Sequence, residues 1–284
     1  MIKFQTLNLV HENESDVKYN ITTFPDGEPT IELLNFNNKY PVKVVCRVCN
    51  PNDLYLLMCV CNILERYENG YSIHISYLMS CRMDRVMAPN RPFSLKFVVK
   101  TLQEFKTRYI EVIDAHTSLD AFVFRHGFKT RFLTKPITAC IPEDVFKSRT
   151  LHCYPDEGAL ARYQRLMPKQ CDAIYYEKQR NAAGLVTVKL NDHFTSMVKD
   201  AKSILLVDDI LDGGSTMRTV IDNLYSINKD LDIAVCITHC VNRSGLESLL
   251  SKHVQVITTN SYKDWDSEFS TEIRNKQLVV YKVI

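Results

Sequence analysis

The chain has 284 residues, with 35 Lys and Arg against 33 Asp and Glu for a formal net charge of +2. That length accommodates two domains of ordinary size, and 45% hydrophobic with 24% charged residues is the composition of a globular protein with a sizeable core. Near-neutrality removes any general electrostatic reason to bind nucleic acid or an anionic membrane. No run has the length of a spanning helix, and Met-Ile-Lys-Phe-Gln lacks a signal-peptide core, so the expected compartment is the cytoplasm.

In chain order, Ile2, Phe4, Leu7 and Leu9 alternate like one strand. Phe24-Pro25-Asp26-Gly27-Glu28 specifies a turn, whose Phe24 either anchors a hairpin into the core or meets a flat partner. Residues 42–48 read as a buried strand, and Asn50-Pro51-Asn52-Asp53 starts a helix over 54–66. The ten cysteines lie in apolar segments and read as buried free thiols, with Cys46-x-x-Cys49, near Cys59 and Cys61, as the zinc or redox alternative. A strand over 71–78 delivers Arg82-Met83-Asp84-Arg85 into a proline-bounded loop. Two arginines there suit bidentate recognition of phosphate, or else form a solvated, salt-bridged loop. A helix over 93–105 and a strand over 109–113 follow, ending in Asp114-Ala115-His116-Thr117. His116, like His126, has by itself the ordinary structural reading.

The second half begins after a passage over 136–146. A strand at 151–154 leads through Pro155-Asp156-Glu157-Gly158 into a helix that Asp156 is suited to cap. The strand over 172–177 opens into Lys178-Gln179-Arg180-Asn181-Ala182-Ala183-Gly184, small residues around two cations, which read as a hairpin tip or a loop that closes over an anion. The most informative stretch is Ser203 to Thr216. Ile204 to Val207 form a strand buried on both faces, Met217 onward is helical, and between them lies Asp208-Asp209-Ile210-Leu211-Asp212-Gly213-Gly214-Ser215-Thr216. A strand-to-helix turn of this composition suits a phosphate on Gly213, Gly214, Ser215 and Thr216, with Asp208 and Asp209 left to accept from sugar hydroxyls or approach a metal-bound group. Further strands are expected over 233–238, 254–258 and 277–283, with His239 at the end of the first in a structural role or, as the alternative, lining the sugar site.

The 208–216 stretch resembles the ribose 5-phosphate loop shared by type I phosphoribosyltransferases and ribose-phosphate pyrophosphokinases (PRPP synthetases), with Gly213 where threonine is usual and Ser215 where the second glycine is usual. Other segments resemble pyrophosphokinase motifs in the family's order. The 24–28 loop is similar to one that contacts the adenine of ATP on a neighbouring subunit. Arg82 and Arg85 match arginines on the ATP phosphates, with Met83 replacing a glutamine. His116 and Asp156 match residues near magnesium, and Lys178 and Arg180 match the basic catalytic loop, where Gln179 and Asn181 replace a third base and a proline. The resemblance implies an α/β fold of two doubly wound, mainly parallel-sheet domains related by internal duplication, 1–140 binding ATP and 141–284 binding ribose phosphate.

The implied activity is transfer of the β,γ-diphosphoryl group of MgATP to the anomeric hydroxyl of ribose 5-phosphate, giving PRPP and AMP. Catalytic roles fall to Lys178, Arg180 and His116; ATP contacts to Phe24, Asp26, Glu28, Arg82 and Arg85; sugar-phosphate contacts to Asp208, Asp209, Asp212, Gly213, Gly214, Ser215 and Thr216; and magnesium to His116 and Asp156. A homo-oligomer of at least two chains is implied. The alternatives are the same transfer to a ribose with a larger 5-substituent such as ADP-ribose, a phosphoribosyltransferase, or an inactive regulatory homologue. Ser215 is expected to strain any positive φ at its position.

Overall fold

The computed structural model describes residues 4–119, 130–149, 151–169, 171–180 and 186–284, with the backbone alone for 178–180 and 186. His126 and the 181–184 segment lie outside the described residues. The chain divides into two compact units, Met1–Pro136 with Ile284, and Ile137–Val283.

In unit 1, β1 (Gln5–Asn8) is followed by a hairpin of β2 (Tyr19–Thr23) and β3 (Pro29–Leu33), then β4 (Val42–Val48), α1 (Pro51–Leu64), β5 (Tyr71–Leu78), α2 (Ser94–Gln103), β6 (Tyr109–Ile113) and β7 (Arg131–Lys135). The strands β1-β4-β5-β6-β7 form a parallel sheet in sequence order, and β2 pairs antiparallel with β3. Helix α1 starts earlier than the hydrophobic pattern suggests because Asn50 and Asp53 build a reciprocal capping box, with Pro51 at the first turn. Each strand is added at the same edge, so right-handed crossovers return to the same face. Accordingly Val44, Ile73 and Ile110 share one core with Leu57 and Val60 of α1 and with Leu95 and Val99 of α2. The other face carries Lys43, His74 and Glu111, with His74 Nδ1 2.8 Å from Glu111 Oε1.

Unit 2 contains α3 (Glu143–Lys147), β8 (Leu151–Tyr154), α4 (Glu157–Tyr163), β9 (Asp172–Arg180), β10 (Val186–Leu190), α5 (Asp192–Asp200), β11 (Ser203–Leu211), α6 (Ser215–Ile227), β12 (Asp232–Cys240), α7 (Arg243–Leu250), β13 (Gln255–Thr259), α8 (Ser270–Arg274) and β14 (Leu278–Tyr281). The sheet order is β10-β9-β8-β11-β12-β13-β14, parallel except for the β9–β10 pair. The chain steps from β8 to β9 on one side and returns to β11 on the other, so the direction reverses between β8 and β11. Both faces are buried: Ile204 and Leu206 belong to one apolar cluster, Leu205 and Val207 to another. The mainly parallel α/β architecture is thus common to both units, while the double winding expected of both is, among the described residues, carried by unit 2; unit 1 departs because its strands never reverse direction.

Among the described residues no helix is long and apolar enough to cross a membrane. All ten cysteines are free. Burial drives the Cys46 thiol upward, and burial followed by the nearby Asp53 carboxylate pushes Cys49 up to about 12. Thiols held protonated are poor metal ligands and nucleophiles. The Cys-x-x-Cys pair is the end of β4 running into the α1 cap, where Cys49 N–H donates to Asp53 Oδ2 at 2.8 Å.

Candidate functional site

In unit 2 the carboxyl ends of β9, β8, β11 and β12 lie side by side, and the reversal of strand direction falls between β8 and β11. This is the crevice where open α/β sheets bind ligands. From β8 comes Asp156, from β11 comes the 208–216 segment, and β9 carries Lys178 and Arg180. The basic segment differs from a free loop: β9 continues through Arg180, with Lys178 opposite Val188 and Arg180 opposite Val186 in an antiparallel ladder. The alternation Val186-Thr187-Val188 supplies the partner strand.

The turn after β11 is held by a close backbone contact. Gly214 takes φ 73°, caps α6 without a side chain, and leaves the first N–H groups of that helix without a capping side chain. A Cβ on Gly214 would sit 2.6 Å from Ser248 Oγ, and a Cβ on Gly245, in α7, would sit 1.7 Å from the Asp212 carbonyl oxygen. Glycine is therefore required at 214 by conformation and at 245 by contact. Asn242 Nδ2 also donates to Asp212 Oδ1 at 3.2 Å. Ser215 is the first residue of α6 and has no positive φ, since the left-handed position falls on Gly214; the strain expected at Ser215 is absent. Gly213 is exposed, and a Cβ there would meet open space.

Asp208 and Asp209 end the same strand in different environments. Asp209 is 3% exposed, and its carboxylate pairs with the Arg162 guanidinium at 2.7 Å. For Arg162 burial opposes the charge, but Asp209, Tyr163 and Asp208 outweigh it and hold the guanidinium firmly protonated. The same cation lies over the Tyr163 ring, 5.6 Å from its centroid. Asp208 is left facing like charges. Burial first, then Asp209 and Asp156, raise its carboxyl well above the ordinary range, although Asp208 Oδ1 accepts the Asp209 N–H at 3.0 Å. Asp156 caps α4, accepting from Ala159 N–H at 2.9 Å, and a Cβ on Gly158 would crowd its Oδ1 at 3.2 Å. The site thus sets Asp208 beside the Asp209 and Asp156 carboxyl groups, with the partly buried Arg162 guanidinium on Asp209, and offers acceptors to hydroxyl donors.

In unit 1 the predicted residues sit on the hairpin tip and on loops after β5 and β6. Phe24 is 50% exposed, so it is not a core anchor. Its turn is closed by Phe24 N–H to Glu28 O at 2.9 Å and Gly27 N–H to Phe24 O at 2.8 Å, with Gly27 at φ 92°. Asp26 Oδ1 accepts the Glu28 N–H at 3.1 Å, and Tyr55 of α1 donates its hydroxyl to Glu28 Oε1. Arg82 and Arg85 are exposed after β5, and His116 is half-buried after the neighbouring β6. Asp114, buried before it, takes φ 38° while its N–H pairs with Lys135 O at 2.8 Å. His239 is buried at 3% exposure with Nδ1 2.8 Å from Ser261 Oγ, the structural role its position suggested.

Among the described residues no group of three or more His, Cys, Asp or Glu is arranged to hold a metal ion. No local pattern in the sequence singles out Arg162, Gly245 or Asn242. Arg162 lies six residues after Asp156, one and a half helical turns on, and its role depends on the neighbouring strand β11, distant in sequence.

No family model matches the chain. It is similar to the ribose-phosphate pyrophosphokinase of Sulfolobus acidocaldarius, 28% identical over 251 residues that cover 86% of this chain and 84% of that protein. The protein of the same name from Pyrococcus furiosus is 27% identical over 246 residues, 85% of each chain, and that of Pyrococcus abyssi 26% identical over 272 residues, 94% of this chain and 90% of that one. In fold, the chain matches the crystal structure of phosphoribosylpyrophosphate synthetase from Mycobacterium smegmatis with a TM-score of 0.72 at 18% identity, across 96% of this chain and 88% of that one.

Proposed function

This chain belongs to the ribose-phosphate pyrophosphokinase family, and from that premise we propose that it transfers the β,γ-diphosphoryl group of MgATP to the anomeric hydroxyl of ribose 5-phosphate, releasing AMP. The observation that carries this reading is the segment at the reversal point of unit 2, where an acid pair adjoins a glycine-clamped helix N-terminus. The N–H groups of Gly213, Gly214, Ser215 and Thr216 bind the 5-phosphate, while Asp208 and Asp209 accept from the ribose 2- and 3-hydroxyls and Asp212 braces the turn through Asn242. Arg162 is a positioning residue that holds the Asp209 carboxylate in place through their ion pair.

Unit 1 supplies the ATP groups in this reading. Phe24, with Asp26 and Glu28 shaping its turn, offers a ring face for adenine, on a neighbouring copy in an assembly of at least two chains. Arg82 and Arg85 neutralise the phosphates, and His116 assists there. Lys178 and Arg180 stabilise charge on the group in flight, where positioning and charge neutralisation dominate. Magnesium arrives with ATP as part of the substrate. Magnesium characteristically keeps several waters and takes its remaining ligands from phosphates and one or two protein groups; Asp156 and His116 are the residues assigned to it.

One observation favours a larger acceptor as the second reading. Gly213 removes a side chain from the phosphate loop and leaves open space, room for a substituted 5-phosphate as in ADP-ribose. A phosphoribosyltransferase has no use for a second complete α/β sheet or the Phe24 turn. The deciding experiment follows AMP release from MgATP with ribose 5-phosphate and with ADP-ribose separately. AMP with ribose 5-phosphate supports the main reading, AMP with ADP-ribose alone supports the second, and AMP with neither supports an inactive homologue.

A further inference from the structure

We propose that unit 2 carries a second binding site, for a small oxyanion of the phosphate or carboxylate class, in the cavity beneath the turn that follows α4. The cavity measures about 500 Å³, within the range of small-ligand sites, and no residue of the 208–216 segment lines it. Its floor is the face of β8 and β9 that bears His152, Tyr154 and Ala173, with His152 opposite Ala173 in the sheet; its roof is formed by Gln164 and Arg165 of a single 3-10 turn, by 167–169 and by Cys171.

Three features indicate a ligand. Tyr154 is fully buried, yet among the described residues its hydroxyl has no hydrogen-bond partner. A buried, unsatisfied hydroxyl is costly and rare, and something must offset it. Burial, then the Cys153 and Cys171 thiols, raise the Tyr154 pKa, so the group stays a donor, and Tyr154 is among the residues that line the cavity. At the rim, Arg165 and Lys169 are exposed and form no ion pair among the described residues, with Asp172 as the opposing charge. On the floor, His152 Nε2 lies 2.8 Å from the Phe146 carbonyl, and burial lowers the pKa of the ring. A carbonyl can only accept, so Nε2 carries the proton and Nδ1 is the ring's acceptor. Two rim cations and an unused donor select an anion; the His152 acceptor favours one that also bears a hydroxyl or is partly protonated.

The test is equilibrium binding of inorganic phosphate, and separately of malonate, to the full chain. Arg165→Glu with Lys169→Glu changes only exposed side chains. It is expected to remove one bound phosphate or malonate per chain, while Thr216→Ala leaves that site intact and weakens phosphate binding at the other. Tyr154→Phe, nearly isosteric, is expected to weaken binding to the same site about tenfold without loss of thermal stability. Loss of phosphate alone assigns a phosphate ligand, and loss of malonate alone a carboxylate. Unchanged stoichiometry for both anions in the charge-reversed variant overturns the proposal, leaving water as the partner of Tyr154. Neither measurement depends on turnover, so the result stands apart from the pyrophosphokinase reading.

Discussion

The turn after β11 in unit 2 and the loops after β5 and β6 in unit 1 occupy equivalent places, the carboxyl edge of a parallel sheet, but they are built oppositely. The unit 2 turn is packed backbone against backbone on Gly245, and its buried carboxylate has a fixed cationic partner at 2.7 Å. The unit 1 loops present Arg82 and Arg85 to solvent, and the hairpin tip presents Phe24. The first site is formed before ligand arrives; the second supplies charge and an aromatic face that a ligand must organise. Damage to the first should therefore register in stability and activity together, damage to the second in activity alone.

Gly245→Ala tests the rigid site most severely. Its Cβ cannot coexist with the Asp212 carbonyl at 1.7 Å, so α7 or the turn must move. The expected result is a loss of about 3 kcal/mol in urea unfolding, with turnover abolished. Wild-type stability in this variant removes the clamp from the account. Next in size, Lys178→Ala and Arg180→Ala should each lower turnover about 10²- to 10³-fold at nearly unchanged melting temperature. A loss of stability with normal turnover reverses their assignment from chemistry to folding.

Asp208→Asn separates stability from function within the rigid site. The Asp208 carboxyl is raised in the folded state, first by burial and then by Asp209 and Asp156. Between its unfolded value of about 3.9 and that raised value, the folded protein binds more protons than the unfolded one, so stability falls as pH rises through this window. The ligand-free protein should lose melting temperature from about pH 4 upward. The variant should show a flatter profile and a higher melting temperature at neutral pH, yet turn over at least about tenfold more slowly for want of the sugar contact. An unchanged pH profile would mean that Asp208 is not the group under strain.

The same contrast explains what could be read from the sequence. The β11 segment was legible because a doubly buried strand must be apolar, so acids and glycines directly after it stand out. Ser215 escapes the strain expected of it because composition does not say which residue of a turn takes the left-handed conformation, and here Gly214 takes it. Arg162 and Gly245 were invisible because each acts on β11 or its turn from another helix, and one arginine or glycine in a helical segment has no local signature. Unit 1 was legible in its elements, since the 71–78 and 109–113 strands stand where the pattern put them, but its winding was not: strand order depends on pairings that alternation cannot encode.

The smallest expected effect lies at the hairpin. Tyr55 donates to Glu28 and so ties the turn carrying Phe24 to α1; that hydrogen bond, with the Glu28 charge, pushes the Tyr55 hydroxyl up to about 12, and it remains a donor throughout the usual assay range. Both groups are exposed, so Tyr55→Phe should leave unfolding stability nearly unchanged. If Phe24 receives adenine, freeing its turn adds an ordering cost to ATP binding. KM for ATP should rise about two- to threefold with kcat unchanged, equally at pH 7 and pH 9, because the tyrosine holds its proton at both. Phe24→Ala should move the same parameter further in the same direction. If KM for ATP is unchanged in both variants while KM for the sugar shifts, the hairpin serves the acceptor and the division of labour between the two units must be redrawn.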